Sequence, residues 1–546
     1  MNRQLHRLLE KINIELGSMR LSLFVSLILA IFYNVSFFNA AFEAVIDPIG
    51  VRSVIFFINI AVLLLLLTFI VISLCSFPYI FKPFLVVILI GAACTNYFMN
   101  EYGIVIHRLM IQNLFETDVS EITSLVNAYM LIHILLMGIV PSLMLLKIKI
   151  TYTSPAKEIW IKIKCISIAF ILSIGLILSM SMDYASFFRK HKDIRQMANP
   201  LNFIYAGISY LLDSNQVTEV KPIENDAVKN ATGKNQTKPV LFILVVGETA
   251  RADHFGFNGY QRNTTPLLSN QNIVNFPDVN SCGTETAVSV PCMFSSLGQN
   301  HYSGRKAKSQ EGLLDVISHA GFNVLWRDNN SSCKGVCDRV TYENVQHFSV
   351  PEFCNDRECF DEILLHNLDH SLSAGDMLIV LHQKGSHGPD YFNRYPENMN
   401  HYLPACKTNL LQNCSTQEVI NAYDNTIRYT DYFLNKTIEW LKTKSDTYNT
   451  AMIYLSDHGE SLGEHHIFLH GMPYSIAPKE QKTVPFFMWF SPEYEITNDI
   501  NRQCLMRISD QHYSHDNLFH TLLGLLNIQT KVYNSNLDIT HKCRNN

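Results

Sequence analysis

The sequence has no internal repeat, no low-complexity tract and no pair of cysteines at CxxC spacing. The first absence excludes a solenoid or propeller array, which would show a fixed period. The second leaves no compositionally biased segment to set aside. The third weighs against a zinc ribbon, so the cysteines need another reading. Bulk charge is equally uninformative: 43 basic against 48 acidic residues leave a formal charge of −5. That is too near neutral to mark a nucleic-acid partner, and none is expected.

The distribution of residues says more than the totals. At 546 residues the chain is too long for one ordinary domain. Up to about residue 182 it is mostly apolar with sparse charge, and from about residue 212 it reads as a globular protein. Five runs, Leu21–Phe42, Val54–Leu74, Phe84–Met99, Leu125–Leu146 and Cys165–Met182, come close to the ~20 apolar residues that cross a hydrocarbon core. The first is too long for a cleaved signal and is followed by further spans. The expectation is a five-helix transmembrane bundle over 1–182, membrane-surface helices and a linker over 183–238, and a soluble domain over 239–546.

Lysine and arginine set the expected orientation. Arg3, Arg7, Lys11 and Arg20 precede the first run, Lys82 lies between the second and third, and Lys147, Lys149, Lys157, Lys162 and Lys164 crowd the loop before the fifth. The opposite loops carry Glu43, Asp47 and Arg52, then Glu101, Arg108, Glu116, Asp118 and Glu121, with far fewer basic residues. A cytoplasmic N-terminus and five spans put the soluble domain outside. The cysteines point the same way. Cys75, Cys94 and Cys165 lie in or beside the spans, and the other ten fall in the soluble part. Close spacing in an exported domain predicts disulfides for Cys282 with Cys292, Cys333 with Cys337, Cys354 with Cys359, and Cys406 with Cys414. The pairing of Cys504 with Cys543 stays open.

From Pro239 onward, continuous apolar runs alternate with amphipathic ones. Val240–Val246, Asn323–Trp326, Met377–Leu381 and Ala451–Leu455 read as buried parallel strands. Glu311–Ala320 and Thr416–Lys444 read as helices, which predicts an α/β domain with a mostly parallel central sheet. Each strand is followed by groups capable of chemistry. Glu248 and Thr249 come after the first; Arg327, Asp328, Asn329, Asn330 and Lys334 after the second; His382 and the turn carrying His387 after the third; Asp457 and His458 after the fourth. Open α/β sheets place ligands at these carboxyl ends. Glu248, Asp457 and His458 supply oxygen and nitrogen donors suited to zinc. A hydroxyl could join them, and the residues alone leave Ser281, Thr284 and Thr286 equally eligible as an activated nucleophile.

Several longer motifs carry a resemblance. Val245-Val246-Gly247-Glu248-Thr249-Ala250-Arg251-Ala252-Asp253, Ser281-Cys282-Gly283-Thr284, Ser289-Val290-Pro291-Cys292-Met293-Phe294-Ser295 and Ser456-Asp457-His458-Gly459-Glu460-Ser461 are among them. With Ser514-His515-Asp516-Asn517-Leu518-Phe519-His520 near the end, the chain resembles the lipid A phosphoethanolamine transferases, a group that includes the mobile colistin-resistance enzymes. The resemblance implies an alkaline-phosphatase/sulfatase-like periplasmic domain on a multi-pass anchor in a Gram-negative inner membrane. It implies that Thr286 is the nucleophile, and that Glu248, Thr286, Asp457 and His458 hold a catalytic zinc. Asn329, Lys334, His387 and His470 would contact the phosphate, with the two histidines as candidates for a second zinc. Asn113, Thr117 and Glu121, spaced to share a helical face, would bind lipid substrate.

The implied donor is phosphatidylethanolamine, the acceptor is lipid A, and the enzyme acts as a monomer. One departure from the family pattern is Glu285, where the family carries a small residue. A sulfatase is disfavoured because no Cys-x-Pro-x-Arg segment exists to supply its modified nucleophile. Phosphoglycerol transfer, transfer to core sugars and an inactive membrane sensor are the remaining rivals.

Overall fold

Val240–Val246 is apolar at every position, and such a run is stable only when a sheet covers it on both faces. In the computed structural model it forms the central strand β1 (Val240–Gly247), buried along its whole length. The structure describes residues 14–46, 50–116, 125–214, 219–230, 238–348, 350–355 and 358–544. Arg3, Arg7, Lys11, Asp47, Thr117, Asp118 and Glu121 lie outside them. The chain divides into two units: Met1–Ile111 with Val126–Leu212, and Gln112–Leu125 with Asp213–Asn546.

In the first unit, helices Val51–Leu74, Phe81–Tyr102, Ala128–Lys147 and Pro155–Ser179 are long and apolar enough to cross a membrane. The run expected as one first span is two helices, Ser18–Phe32 and Val35–Ile46, bent by 63°. Asn34 explains the break. Its amide donates to Leu29 O (2.9 Å) and Asn199 O (2.7 Å), while Asn199 N–H donates back to Asn34 Oδ1 (2.9 Å). A buried polar group that finds partners off the helix axis interrupts the ladder. The described residues therefore give four spans, or five if the bent pair counts as one.

The second unit is built on a seven-stranded sheet. Its strands are β1, β2 (Ile273–Phe276), β3 (Asn323–Asp328), β4 (Thr341–Asn344), β5 (Met377–His382), β6 (Asn449–Ser456) and β7 (Phe486–Phe490), in the order β2-β7-β6-β1-β5-β3-β4. The sheet is mixed. β6, β1, β5, β3 and β4 pair in parallel, whereas β7 runs antiparallel to both β6 and β2.

Register decides where the chemistry falls. Gly247 pairs with Ser456, Val246 with His382, and His382 with Asp328. Four parallel strands thus end level, and the residues immediately after them emerge along one edge. Five disulfides close the loops of this unit: Cys282–Cys292, Cys333–Cys337, Cys354–Cys359, Cys406–Cys414 and Cys504–Cys543. Cys75, Cys94 and Cys165 are free.

Candidate metal centre and nucleophile

Two groups among the described residues bring three potential ligand atoms within 4.8 Å: Glu248, Asp457 and His458, and Cys333, Cys337 and Asp338. The second group is disqualified because its cysteines are bonded to each other. The first stands one or two residues past the level ends of β1 and β6, and all three side chains are buried. His458 Nε2 lies 3.4 Å from Glu248 Oε1 and 3.3 Å from Asp457 Oδ2.

The hydrogen bonds identify what belongs between them. His458 Nδ1 lies 2.9 Å from Gly459 O, so Nδ1 carries the proton and Nε2 aims its lone pair at two carboxylates. Burial, with His470 nearby, pushes the His458 imidazole down to about 4, so it is neutral. Asp457 Oδ1 accepts from Thr249 N–H and His458 N–H, while its buried Oδ2 has no hydrogen-bond partner. Burial pushes that carboxyl up to about 6. A lone pair facing two acids and an orphaned oxygen are costly in a dry site unless a cation joins them. Zinc fits this donor set.

Thr286 opens the helix Thr286–Met293 and is the one partly exposed residue in this group. Its Oγ1 lies 3.1 and 3.3 Å from the two Glu248 oxygens and 3.3 Å from His458 Nε2. Of the three hydroxyls left open by sequence, this one meets the acids. Ser281 Oγ donates to Gly283 O (2.5 Å) and Thr284 Oγ1 to Met472 O (2.6 Å).

The loops around the centre are held by groups the sequence did not single out. Asn330 donates its amide to Glu248 Oε2 (2.6 Å) and Gln383 O (2.9 Å). Asn329, expected at the phosphate, instead gives its amide nitrogen to Cys359 O (3.0 Å) and Asp361 (2.9 Å). The one-residue shift is decided by β3, whose last residue Asp328 accepts from Asn330 N–H and turns the chain. Asp361, buried and with its carboxyl raised by that burial, also receives Lys384 and Gly385 N–H. Gly385 has φ +56°, and a Cβ there would meet Glu248 O at 2.6 Å; only glycine lets the His387 turn approach so closely. Tyr423, on the helix Thr416–Lys442, donates to Thr249 O and accepts from Arg251 N–H.

His387 and His470 face each other with ring centres 5.1 Å apart, and His470 stands 4.5 Å from His458. Glu460 fixes His470 through Nδ1 (2.7 Å) and receives the Tyr391 hydroxyl (2.7 Å). Lys334 has its Nζ 2.8 Å from Ser331 Oγ, on the wall of a cavity of about 810 Å³ beside Pro291 and Phe294. Asn113 belongs to the second unit and donates its amide to Glu285 (2.5 Å), the residue before Thr286.

Comparison with known proteins assigns the family. Residues 241–528 match the Sulfatase family, and residues 64–214 match the family described as phosphoethanolamine transferase EptA/EptB. The phosphoethanolamine transferase EptA of Escherichia coli K12 is 41% identical over 537 residues, covering 96% of this chain and 97% of that protein. The chain belongs to the phosphoethanolamine transferases. Phosphatidylethanolamine transferase Mcr-1 of Escherichia coli is 40% identical, over 91% of this chain and 92% of that one. The integral membrane lipooligosaccharide phosphoethanolamine transferase A of Neisseria meningitidis superposes with a TM-score of 0.93 at 36% identity, covering 97% and 99% of the two chains. The transferase fold is thus a sulfatase-like domain following an N-terminal membrane domain.

The supporting groups carry two expected outcomes. Asn330→Ala removes the amide that aims Glu248, and should weaken zinc affinity by about 10- to 100-fold in a competitive chelator titration. His515 joins three parts of the site: Nε2 meets Ser456 O (2.9 Å), Nδ1 accepts from Cys282 N–H (3.1 Å), and Ser289 Oγ is 3.2 Å away. Burial pushes its imidazole down to about 3. The unfolded chain therefore binds a proton at His515 near pH 6.5 and the folded one does not, so its contribution is complete above pH 6.5 and falls as pH drops. The stability gap between wild type and His515→Gln should narrow by about 2 kcal/mol between pH 7 and pH 5. Denaturant unfolding at the two pH values measures it.

Proposed function

We propose that this transferase moves phosphoethanolamine from phosphatidylethanolamine to a phosphate of lipid A through a covalent phosphothreonine at Thr286. The observation carrying the reading is the Thr286 hydroxyl, lying 3.1–3.3 Å from Glu248 and His458 at the mouth of a buried donor set. The names of the relatives support the donor and the transferred group. In the first step the Thr286 Oγ–P bond forms and the bond from phosphorus to the glycerol oxygen breaks. The threonine proton ends on that oxygen, and diacylglycerol leaves. In the second step a lipid A phosphate oxygen attacks the same phosphorus, the Oγ–P bond breaks, and Thr286 recovers a proton.

Glu248, Asp457 and His458, with Thr286, would hold zinc, which when bound lowers the pKa of the attacking hydroxyl and offsets charge on the phosphoryl oxygens. The remaining work falls to the protein. Glu248 accepts from Thr286 and orients it, while Asn330 and Gly385 fix Glu248. Glu460 holds the Nδ1 proton of His470, which leaves the Nε2 lone pair for a second zinc shared with His387 or, in the imidazolium form, an Nε2–H to donate to a phosphoryl oxygen. Lys334 supplies positive charge for the phosphate. Asn113, Thr117 and Glu121 bind the lipid donor.

The residues before 183 are read as a five-span anchor with a cytoplasmic N-terminus, 183–238 as surface helices and linker, and 239–546 as a periplasmic catalytic domain. The enzyme works as a monomer in a Gram-negative inner membrane. Capping a lipid A phosphate with an ethanolammonium group removes anionic charge and so favours polymyxin resistance. Mass spectrometry of lipid A from cells with and without the gene tests the reading. A phosphoethanolamine increment that depends on the gene supports it, and its absence in expressing cells rejects it.

A further inference from the structure

A cavity of about 470 Å³ lies within the first unit, mostly apolar but with a few polar groups in its wall. Ile60, Leu63, Leu64 and Leu67 of the helix Val51–Leu74 form one side of it, at the spacing of a single helical face. Seven residues of helix make that side ~10 Å long, and the volume falls in the roughly 300–1,000 Å³ range of ligand sites. Other walls come from the helices Ser181–Lys190 and Lys192–Gln196, which follow the last span, and from Leu201–Ser214.

The charged lining has one sign. Arg108 and Arg195 contribute guanidinium groups, and among the described residues no aspartate or glutamate joins them. Arg195 is exposed and makes no ion pair or hydrogen bond among those residues. Beside it, Gln196 Oε1 is buried with no hydrogen-bond partner among them. A buried acceptor left unpaired is costly, and what satisfies it is an O–H or N–H donor. An amphiphile answers all three features. The apolar side takes an acyl chain, the guanidinium groups fork onto a phosphodiester, and Gln196 accepts from a head-group hydroxyl. Net charge selects the lipid. A zwitterionic head group would bring a cation toward two arginines with no acid to meet it, whereas an anionic one brings none.

We propose that this cavity binds an anionic phospholipid of the phosphatidylglycerol type, a lipid that is neither donor nor acceptor in the transfer described above. Seated there, it ties the helices that follow the last span to the helix Val51–Leu74. The rival account is bulk lipid filling a crevice, which would show no head-group preference and no response to a single arginine.

Full-length enzyme, stripped of lipid by detergent exchange, would be titrated with phosphatidylglycerol and with phosphatidylcholine of the same acyl chains. Native mass spectrometry counts the lipids bound per chain, and the readout is the ratio of the two dissociation constants, which cancels any fraction of inactive protein. Wild type should bind one phosphatidylglycerol about tenfold to a hundredfold more tightly, the range of a charge-assisted hydrogen bond. Arg195→Gln should bring the ratio close to one, and Arg195→Lys should keep part of the preference. Gln196→Glu sets an acid beside the arginine and should shift the ratio toward phosphatidylcholine. Arg52→Gln removes the same charge from a side chain of the same unit that pairs with Asp183 (2.9 Å) and does not line the cavity; its ratio should match wild type. Wild type that prefers neither lipid overturns the proposal, as does a preference that survives Arg195→Gln or is lost equally in Arg52→Gln. Displacement of the bound phosphatidylglycerol by an equal concentration of phosphatidylethanolamine also overturns it, since the cavity would then belong to the donor.

Discussion

Thr286→Ala should abolish phosphoethanolamine transfer to lipid A while leaving the protein folded and zinc-binding. The hydroxyl is the only part of the side chain directed at Glu248 and His458, and the helix it opens is anchored elsewhere. Ser289 donates to Asp457 O from the same helix, and Cys292 is bonded back to Cys282. Loss of an attacking nucleophile removes the covalent route outright, a drop on the order of 10⁴–10⁶ in kcat. Ser281→Ala and Thr284→Ala remove hydroxyls whose bonds go to backbone carbonyls; each should cost about 1 kcal/mol of stability and leave transfer detectable. Lipid A mass spectra, paired with the mass of a trapped Thr286 adduct, read both results. Full transfer by Thr286→Ala would assign the chemistry to another group.

Expression in a reducing compartment should yield a catalytic unit that is neither stable nor metal-loaded. A bridge contributes through the freedom it denies the unfolded chain, so the spacing ranks them. Cys504–Cys543 closes 39 residues and Cys333–Cys337 closes 4, which correspond to about 4 and about 2 kcal/mol. Losing several exceeds the roughly 5–15 kcal/mol that keeps a domain folded. The effect on the site is sharper at Cys282–Cys292, which brackets Thr286, and at Cys354–Cys359, since Cys359 O and Asp361 together hold Asn329. Thiol labelling of the oxidised, denatured protein should modify Cys75, Cys94 and Cys165 alone. Label at any other cysteine before reduction would contradict the pairing.

The strands that position the site were legible because burial on both faces leaves a continuous apolar run, as in Val240–Val246 and Met377–Leu381. The edge strands Ile273–Phe276 and Thr341–Asn344 were not, because an edge demands less apolar surface and both are short. Phe486–Phe490 carries a strong signal in five successive apolar residues and went unassigned; its antiparallel direction depends on pairing with β2 and β6, which no local pattern encodes. The clustering of Glu248, Asp457 and His458 was legible from their place after strands. Thr286 was not separable from Ser281 and Thr284 by residue type, since only the fold reveals which hydroxyl faces the acids. Asn329 and Asn330 could not be told apart by residue type either: consecutive residues in a turn point apart. The short-range tie from Asn330 N–H to Asp328 Oδ1 accompanies an Asn330 amide turned to Glu248 and an Asn329 amide turned to Cys359 O and Asp361. Asp361 gave no sequence signal, sitting outside every motif and acting through backbone N–H groups.

The level ending of β1, β5, β6 and β3 works as a ruler against which every reactive group is measured. Adding or deleting one residue inside any of these strands would move the downstream side chains by ~3.3 Å and turn them to the opposite face. Inserting Ala within Val240–Val246 should therefore disable the enzyme as completely as removing Glu248. Insertions in the loops at the amino ends of the same strands leave the measured edge untouched, so length variation among natural relatives and in engineered chimaeras should gather there.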